Sequence, residues 1–185
     1  NGRLAWVLGK QNPNASGETP YRVEGIANAA QVVVGDNSLC ALIKDGTVSC
    51  FGSNASGQLG DGTTNTSETP KTVKGISNAT QISLENYQAC ARLTNGTVWC
   101  WGGQAPTPTR SDAYSQIPEG AASDGGSVEP VQVEGISDAV EVATSDGVNP
   151  ATCAVLADGA VKCWGNNSSG QLGDGTTTNS PTPVA

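Results

Sequence analysis

Three observations in the sequence predict an all-β fold, a partial β-propeller of four-stranded antiparallel blades. The six cysteines form three pairs, each separated by ten residues, and the second pair begins 50 residues after the first. The 185-residue chain has 24 glycines and only 4% aromatic residues, and its apolar residues come in short runs. A period near 50 residues is typical of propellers and solenoids, in which each repeat is one supersecondary unit.

Each cysteine pair encloses a predicted β-hairpin. The segments CALIKDGTVSC, CARLTNGTVWC and CAVLADGAVKC place an Asp-Gly or Asn-Gly step between apolar and β-branched residues. With a three-residue loop (Lys44-Asp45-Gly46) whose glycine has a positive φ, Ile43 faces Thr47 and Cys40 faces Cys50 on one side of the sheet. We therefore expect cross-strand disulfides joining Cys40 to Cys50, Cys90 to Cys100 and Cys153 to Cys163.

Zinc ligation and free thiols are the alternatives for these cysteines. Zinc ligands usually come as C-x₂₋₄-C, and the chain has no histidine to complete a set, so zinc is disfavoured. Each bridge would close a short loop and contribute roughly 2–3 kcal/mol. Persistent disulfides indicate an oxidising compartment, which predicts an extracellular or cell-surface protein. The Asn-x-Ser/Thr sequons would suit glycosylation there, although a chain rich in these residues also uses them in turns.

The charge and hydropathy of the chain narrow its partners. Nine Lys and Arg residues against 17 Asp and Glu residues give a formal charge of -8, which repels phosphate backbones and disfavours nucleic acid. No window approaches the roughly 20 apolar residues of a membrane span, so no membrane insertion is expected. The sequence starts at Asn1 without the basic and apolar regions of a signal peptide, so a secretion signal would have been removed or lie upstream.

Four extended segments recur in each repeat, which is the strand content of one propeller blade. In the first repeat they are Tyr21–Val23, Ala30–Val34, Leu39–Ile43 and Thr47–Phe51. We divide the chain into a partial blade (1–17), repeat 1 (18–67), repeat 2 (68–127, with a loop insert at 103–127), repeat 3 (128–180) and the start of a further blade (181–185).

One set of apolar positions is predicted to pack between blades. In repeat 1 these are Val32, Val34, Leu42 and Val48. Their counterparts are Ile82, Leu84, Arg92, Val98, Val142, Val155 and Val161. Arg92 interrupts the set, which indicates either a blade edge or a face assignment that is wrong by one residue.

Two longer strings resemble the repeats of the regulator of chromosome condensation family. They are CFGSNASGQLGDGT (50–63) and CWGNNSSGQLGDGT (163–176), each followed by a Thr-Pro segment that opens the next unit. The resemblance implies a β-propeller, which in this family usually closes with seven blades, and the cysteine-paired version is similar to repeats of secreted and surface proteins of bacteria. The family's histidine before the first hairpin strand is absent, with Asn37 and Tyr87 in that neighbourhood, and the insert deletes the GQLGDGT loop of the middle repeat.

The GQLGDGT loops are predicted to link one blade to the next. Their glycines supply positive φ, the glutamine bonds loop backbone, and the leucine fills the gap between blades. These residues are Gly57, Gln58, Leu59, Gly60 and Gly62, and Gly170, Gln171, Leu172, Gly173 and Gly175.

Other readings of the motif residues remain as alternatives. A phosphate cradle is disfavoured because no GK[ST] step or helix start follows the glycines. Asp61 and Asp174 could hold calcium, but DGTTN lacks the alternating acidic ligands of known calcium loops. We expect Trp99, Trp101 and Trp164 to pack beside the disulfides, with a sugar- or peptide-stacking surface as the alternative.

No catalytic or cofactor-binding residue is predicted. The chain has no histidine and no G-x-S-x-G motif, and its carboxylates are scattered over loops, so we expect a non-enzyme without a cofactor. The insert carries Arg110, Asp112 and Tyr114, which are candidate contacts for a protein partner if the insert is more than a tolerated surface excursion.

The sequence favours an extracellular or cell-surface scaffold that mediates protein–protein interaction. Its first residues resemble half of a hairpin, so we expect the remaining blades in a longer chain, or completion by another protein or copy. A self-assembling subunit of a filament or surface layer is the alternative. Guanine nucleotide exchange, which the family resemblance also suggests, is disfavoured by the disulfides and the acidic charge.

Overall fold

The structure, a computed structural model, describes residues 4–7, 21–85, 87–103, 127–145 and 150–185. These ranges contain strands and turns and no helix, so none of their segments is a helix long and apolar enough to cross a bilayer. The strands are β1 (Leu4–Val7), β2 (Tyr21–Ala27), β3 (Ala29–Val34), β4 (Ser38–Ile43), β5 (Val48–Gly52), β6 (Ser67–Thr72), β7 (Ala79–Glu85), β8 (Gln88–Leu93), β9 (Val98–Gly102), β10 (Ser127–Gln132), β11 (Ala139–Thr144), β12 (Ala151–Leu156), β13 (Val161–Gly165) and β14 (Ser180–Val184).

The strands form three antiparallel sheets of four strands, in which each strand pairs with the next along the chain. We call them the first blade (β3–β6), the second blade (β7–β10) and the third blade (β11–β14). Strands β1 and β2 form a separate antiparallel pair, and both strands contact the first blade. The prediction of an all-β fold made of four-stranded antiparallel blades is confirmed.

The sheets are out of phase with the sequence repeats. The Thr-Pro segment that opens repeat 2 is β6, and it pairs with β5 of repeat 1 as the outer strand of the first blade. In the same way Tyr21–Val23 pairs with β1 and does not join the first blade, and residues 181–185 lie with Ser180 at the outer edge of the third blade and do not start a further one. The loop after β5 returns the chain to the open edge of the same sheet, so the pairing crosses the repeat boundary. The predicted boundaries describe the sequence repeat and stay a prediction.

The hairpins inside the cysteine pairs have the expected three-residue loops. The Ile43 amide donates to the Thr47 carbonyl at 2.8 Å, and Gly46 has a φ of 86°. Asp45 Oδ1 accepts hydrogen bonds from the Thr47 hydroxyl and the Thr47 backbone N–H, which close the turn and, in that order of importance, lower the pKa of this carboxyl. Since the turn chemistry lies within five residues, local sequence alone specifies this element.

The predicted packing set mixes the two faces of the blade. Val32 lies opposite Ala41 and Val34 opposite Leu39, whereas Leu42 lies opposite Val48 on the other face. Both faces are apolar because an internal blade is covered on both sides by neighbouring sheets. A single face assignment was therefore wrong.

Burial differs between equivalent positions according to the neighbouring sheet. Val32 and Val34 are 40% and 59% exposed, whereas Ile82 and Leu84, their counterparts in the second blade, are 2% and 3% exposed. Val161 of the third blade is 50% exposed, and its counterparts Val48 and Val98 are fully buried. Arg92 shares the face of Val98 and is half-buried. Two outer faces, that of Val32 and Val34 in the first blade and that of Val161 in the third, are therefore covered less completely by described residues than the internal faces are.

Candidate functional site

The three disulfides lie in the middle of the blades. The sulfurs of Cys40 and Cys50 are bonded, with Cα atoms 4.1 Å apart, and the other two pairs have the same sequence separation and nearly the same Cα distances, 4.0 and 4.1 Å. In each blade the two cysteines stand directly opposite each other on the two hairpin strands. The described part of the chain holds no free cysteine.

The first two disulfides belong to the apolar layers between blades. Cys40 and Cys50 pack with Ile82 and Trp101 of the second blade. Cys90 and Cys100 pack in the same way with Val142 and Trp164 of the third. The tryptophans therefore fill the space over the disulfide of the preceding blade, and Trp101 and Trp164 are both fully buried.

The loop between β5 and β6 is organised around one buried asparagine. Asn54 is fully buried, and its Nδ2 donates to the Thr63 carbonyl at 3.0 Å, the Asn65 carbonyl at 3.1 Å and Asp61 Oδ1 at 3.3 Å. Its Oδ1 accepts from the Leu59 backbone N–H at 2.9 Å. A single amide thus ties both ends and the middle of the loop together.

The loop between β13 and β14 repeats this arrangement. Asn167 is fully buried, donates to the Thr176 carbonyl and to Asp174 Oδ1 at 3.0 Å each, and accepts from the Leu172 N–H at 2.9 Å. Sequence reasoning passed over both asparagines because it treated the sequons in which they occur as turn composition. The signal was present, since Asn54 and Asn167 stand at the same position of the two GQLGDGT strings.

The two predicted loops each join the last two strands of a single blade, β5 to β6 and β13 to β14, and do not connect one blade to the next as the sequence predicted. All six loop glycines have a φ between 63° and 85°. The Oε1 atoms of Gln58 and Gln171 accept from the backbone N–H two residues earlier at 2.9 Å. Leu59 is fully buried between the first and second blades, and Leu172 packs against the third-blade disulfide.

The first loop also contacts the second blade directly. Trp101 Nε1 donates to the Gln58 carbonyl at 3.0 Å, and the Gly62 N–H donates to the Val128 carbonyl at 2.9 Å. Above Gly62, Lys74 and Glu129 form an ion pair of 2.7 Å that is more than half exposed, so it adds little to stability. The loop therefore belongs to the first blade and also contacts the second blade directly.

Replacing Gly60 with alanine should cost more than the same change at Gly173. Both glycines have positive φ, 63° and 74°, so both substitutions carry the strain of a left-handed alanine. A Cβ at Gly60 would stand 2.8 Å from Trp101 Cδ1, whereas one at Gly173 would have no atom of a described residue within 4 Å. We expect Gly60→Ala to lower the free energy of unfolding by about 2 kcal/mol more than Gly173→Ala, measured by urea titration. Equal losses would show that the loop does not bear on Trp101.

The acidic residues of the loops act as hydrogen-bond acceptors in turns. Asp61 Oδ1 accepts from the Thr63 N–H, the Thr63 hydroxyl and Asn54. At Asp174, the bonds from the Thr176 backbone N–H and then its hydroxyl hold the pKa of the carboxyl below its usual range. Among the residues that the structure describes, no three His, Cys, Asp or Glu side chains stand together as a metal site.

The remaining predicted contact residues fall where the structure gives no description. Arg110, Asp112 and Tyr114 lie in the insert, outside the described residues. Their role as partner contacts stays a prediction.

Family comparison matches these loops and hairpins. Two sequence profiles of the regulator of chromosome condensation (RCC1) repeat match the chain, one at residues 29–58 and 151–171 and the other at residues 45–91. RCC1 repeats are therefore recognised over residues 29–91 and 151–171, which are less than half of the chain. The matched ranges contain the Cys40 hairpin and both buried asparagines. No curated protein matches the chain as a relative.

Solved RCC1 propellers share the fold. Prp20p of Saccharomyces cerevisiae, whose structure is described together with its binding properties to Gsp1p and histones, is 19% identical with a TM-score of 0.70 over 91% of this chain and 40% of its own. Yeast RCC1 (Prp20) bound to Kap60 gives 18% and 0.68 over 96% and 41%, and human WBSCR16 gives 16% and 0.55 over 95% and 58%. The fold is an RCC1-type β-propeller arrangement, and this chain spans about two fifths of the length of the Prp20 chains.

Proposed function

We propose that this chain is an extracellular or cell-surface β-propeller scaffold that binds protein partners and performs no catalysis. The observation that carries the proposal is the set of three identical cross-strand disulfides inside RCC1 blades. A bridge in every four-stranded blade is useful where disulfides persist, outside the reducing cytosol. We propose that the repeats of this chain are of the cysteine-paired type found in bacterial surface proteins.

Protein binding is supported by the fold and by the layout of the loops. The structures of Prp20 concern binding to Gsp1p, histones and Kap60, so this propeller type presents protein-binding surfaces in those proteins. In the present chain the GQLGDGT loops are held rigidly by Asn54 and Asn167, and a rigid loop loses little conformational entropy on binding. The formal charge of -8 favours partners with a basic contact surface.

The first test is the redox state of the protein recovered from its source. Thiols are blocked at lysis, and the intact mass is compared before and after reduction. We expect an increase of about 6 Da on reduction, two hydrogens for each disulfide. An unchanged mass, with six blocked thiols before reduction, would contradict an extracellular location.

Two further measurements separate the proposal from its alternatives. The chain should not accelerate nucleotide release from a small GTPase, and acceleration would favour an exchange factor. Sedimentation should give a monomer, because Ser180–Val184 completes the third blade and does not supply strands for the β1–β2 pair. A concentration-dependent polymer would favour the self-assembling subunit.

A further inference from the structure

Successive blades are joined by a glutamine side chain that bonds to the backbone of the next sheet. Gln31 on β3 donates from Nε2 to the Ile82 carbonyl at 2.7 Å and accepts the Ile82 N–H at Oε1, at 2.9 Å. Gln81 on β7 makes the same two bonds to Val142, each at 3.0 Å. We call this two-bond contact the amide clamp.

The clamp satisfies an open sheet edge. Among the strands that the structure describes, β7 and β11 each pair with a neighbour on one side only, so the outward N–H and C=O groups of Ile82 and Val142 have no partner strand there. Unpaired edge groups attract further strands or need other partners. A carboxamide is the neutral side chain that places a donor and an acceptor side by side, so it matches one backbone N–H and C=O.

A repeated β-bulge brings the clamp residue to the same place in every blade. The register shifts between Ala29 and Gln31, between Ala79 and Gln81, and between Ala139 and Glu141. After the shift these residues lie opposite Leu42, Arg92 and Val155, on the face that turns towards the next blade.

The third blade carries Glu141 in place of the glutamine. Glu141 is exposed, and its carboxylate has two acceptors and no donor. A neighbouring sheet edge like that of β7 or β11 would place its carbonyl against a carboxylate oxygen, where the first two blades place an N–H. Ser83 adds one further bond between the second and third blades, since its hydroxyl accepts the Thr144 N–H at 3.1 Å, but the equivalent residues are Val33 in the first blade and Ala143 in the third, so this bond is not part of the repeated clamp.

We infer that Gln31 and Gln81 are specificity-determining residues of blade packing, and that Glu141 makes the third blade reject a sheet of the same kind. The rejected neighbour is a blade whose edge offers one backbone N–H and one carbonyl, such as the first strand of this chain's own blades. Apolar complementarity between blade faces is then insufficient for packing, and the residue after the bulge decides which blades can be adjacent.

Glutamine and glutamate can be interchanged at two equivalent positions, residue 31, which a neighbouring blade covers, and residue 141, which is exposed. Gln31→Glu places a carboxylate against the Ile82 carbonyl, and the neighbouring Leu42, Ile82 and Leu84 carry no charge that would offset it. We expect at least a tenfold fall in the folding equilibrium constant, about 1.4 kcal/mol, and at least tenfold faster hydrogen exchange at the Ile82 amide. Glu141→Gln, the matched control, should change neither quantity.

Two further variants distinguish recognition from general disruption. Gln31→Ala removes both bonds without adding charge, so its loss relative to wild type should not depend on pH, whereas the loss in Gln31→Glu should shrink in acid as the new carboxyl gains a proton and with it a donor. Gln81→Glu should be milder than Gln31→Glu, because Arg92 lies directly opposite residue 81. If Gln31→Glu does not fold, exchange at Val142 in Gln81→Glu gives the same readout. Wild-type stability and unchanged Ile82 exchange in Gln31→Glu at neutral pH would overturn the inference.

Discussion

Replacing Cys90 and Cys100 together with alanine should lower the free energy of unfolding by about 3–5 kcal/mol. The bridge closes a loop with a sequence separation of 10, and in the chain-entropy model the loss of that constraint costs roughly 2–3 kcal/mol. The rest comes from packing, because both cysteines are fully buried against Val142 and Trp164 of the third blade. Alanine is chosen because serine would leave a hydroxyl in this apolar layer.

The disulfide of the third blade is the internal control for this prediction. Cys153 and Cys163 close a loop of the same length, but Cys153 is half-buried and no described blade covers this face. Its double alanine variant should therefore lose only the entropic part, roughly 2–3 kcal/mol. Urea titrations of the two variants beside the wild type provide the measurement. A Cys90/Cys100 variant that is no less stable than the Cys153/Cys163 variant would contradict the placement of the second disulfide between blades.

The elements that could be predicted from sequence are those decided by neighbouring residues. An Asp-Gly or Asn-Gly turn fixes the register of its own hairpin, so the position of Cys40 opposite Cys50 followed from counting outward from Gly46. The same holds for the positive φ of the loop glycines. In both cases the information lies within about a dozen residues, and no tertiary contact needs to be known.

The elements that could not be predicted depend on which sheet covers which. Repeats show that Tyr21–Val23 and Lys71–Val73 are equivalent, but not that Ser67–Thr72 becomes the last strand of the first blade or that Tyr21–Val23 pairs with β1. The alternation of apolar residues marks Val32 and Val48 as packing positions. It does not show which face each one lies on, because both faces of a blade are apolar when each has a neighbouring sheet. The stacking of the sheets determines which strand completes which blade and on which face a residue packs. The residue pattern of a single strand does not contain that information.

The importance of Asn54 was hidden for a related reason. Its partners lie as far as residue 65, and the loop has no regular secondary structure from which side-chain direction could be inferred. In sequence it was one of several sequon asparagines, whereas in the structure it is fully buried with its amide engaged. A buried asparagine of this kind is no acceptor for a glycan in the folded chain.

Asn54→Ala should therefore be among the most destabilising single substitutions, with an expected loss of roughly 3–5 kcal/mol in the free energy of unfolding. The change leaves the Leu59 N–H and the carbonyls of Thr63 and Asn65 without the side chain that serves them. Each buried polar group that loses its partner costs roughly 1–3 kcal/mol. Leu59 of this loop packs in the same apolar cluster as Trp101, and the Trp101 indole N–H donates to the loop. Tryptophan fluorescence during urea unfolding therefore reports the loss.

Two controls define what the amide of Asn54 contributes. Asn65→Ala changes an exposed side chain in the same loop and should stay within about 0.5 kcal/mol of wild type. Asn54→Asp keeps the acceptor for the Leu59 N–H but turns a carboxylate towards two carbonyls and Asp61, so at neutral pH it should be at least as damaging as alanine. If the aspartate variant kept wild-type stability, the donor side of the amide would be dispensable, and the loop would be held by Leu59 packing instead. A loss of stability in Asn54→Ala and Asn54→Asp, with none in Asn65→Ala, would establish that one buried amide holds the β5–β6 loop in contact with both blades.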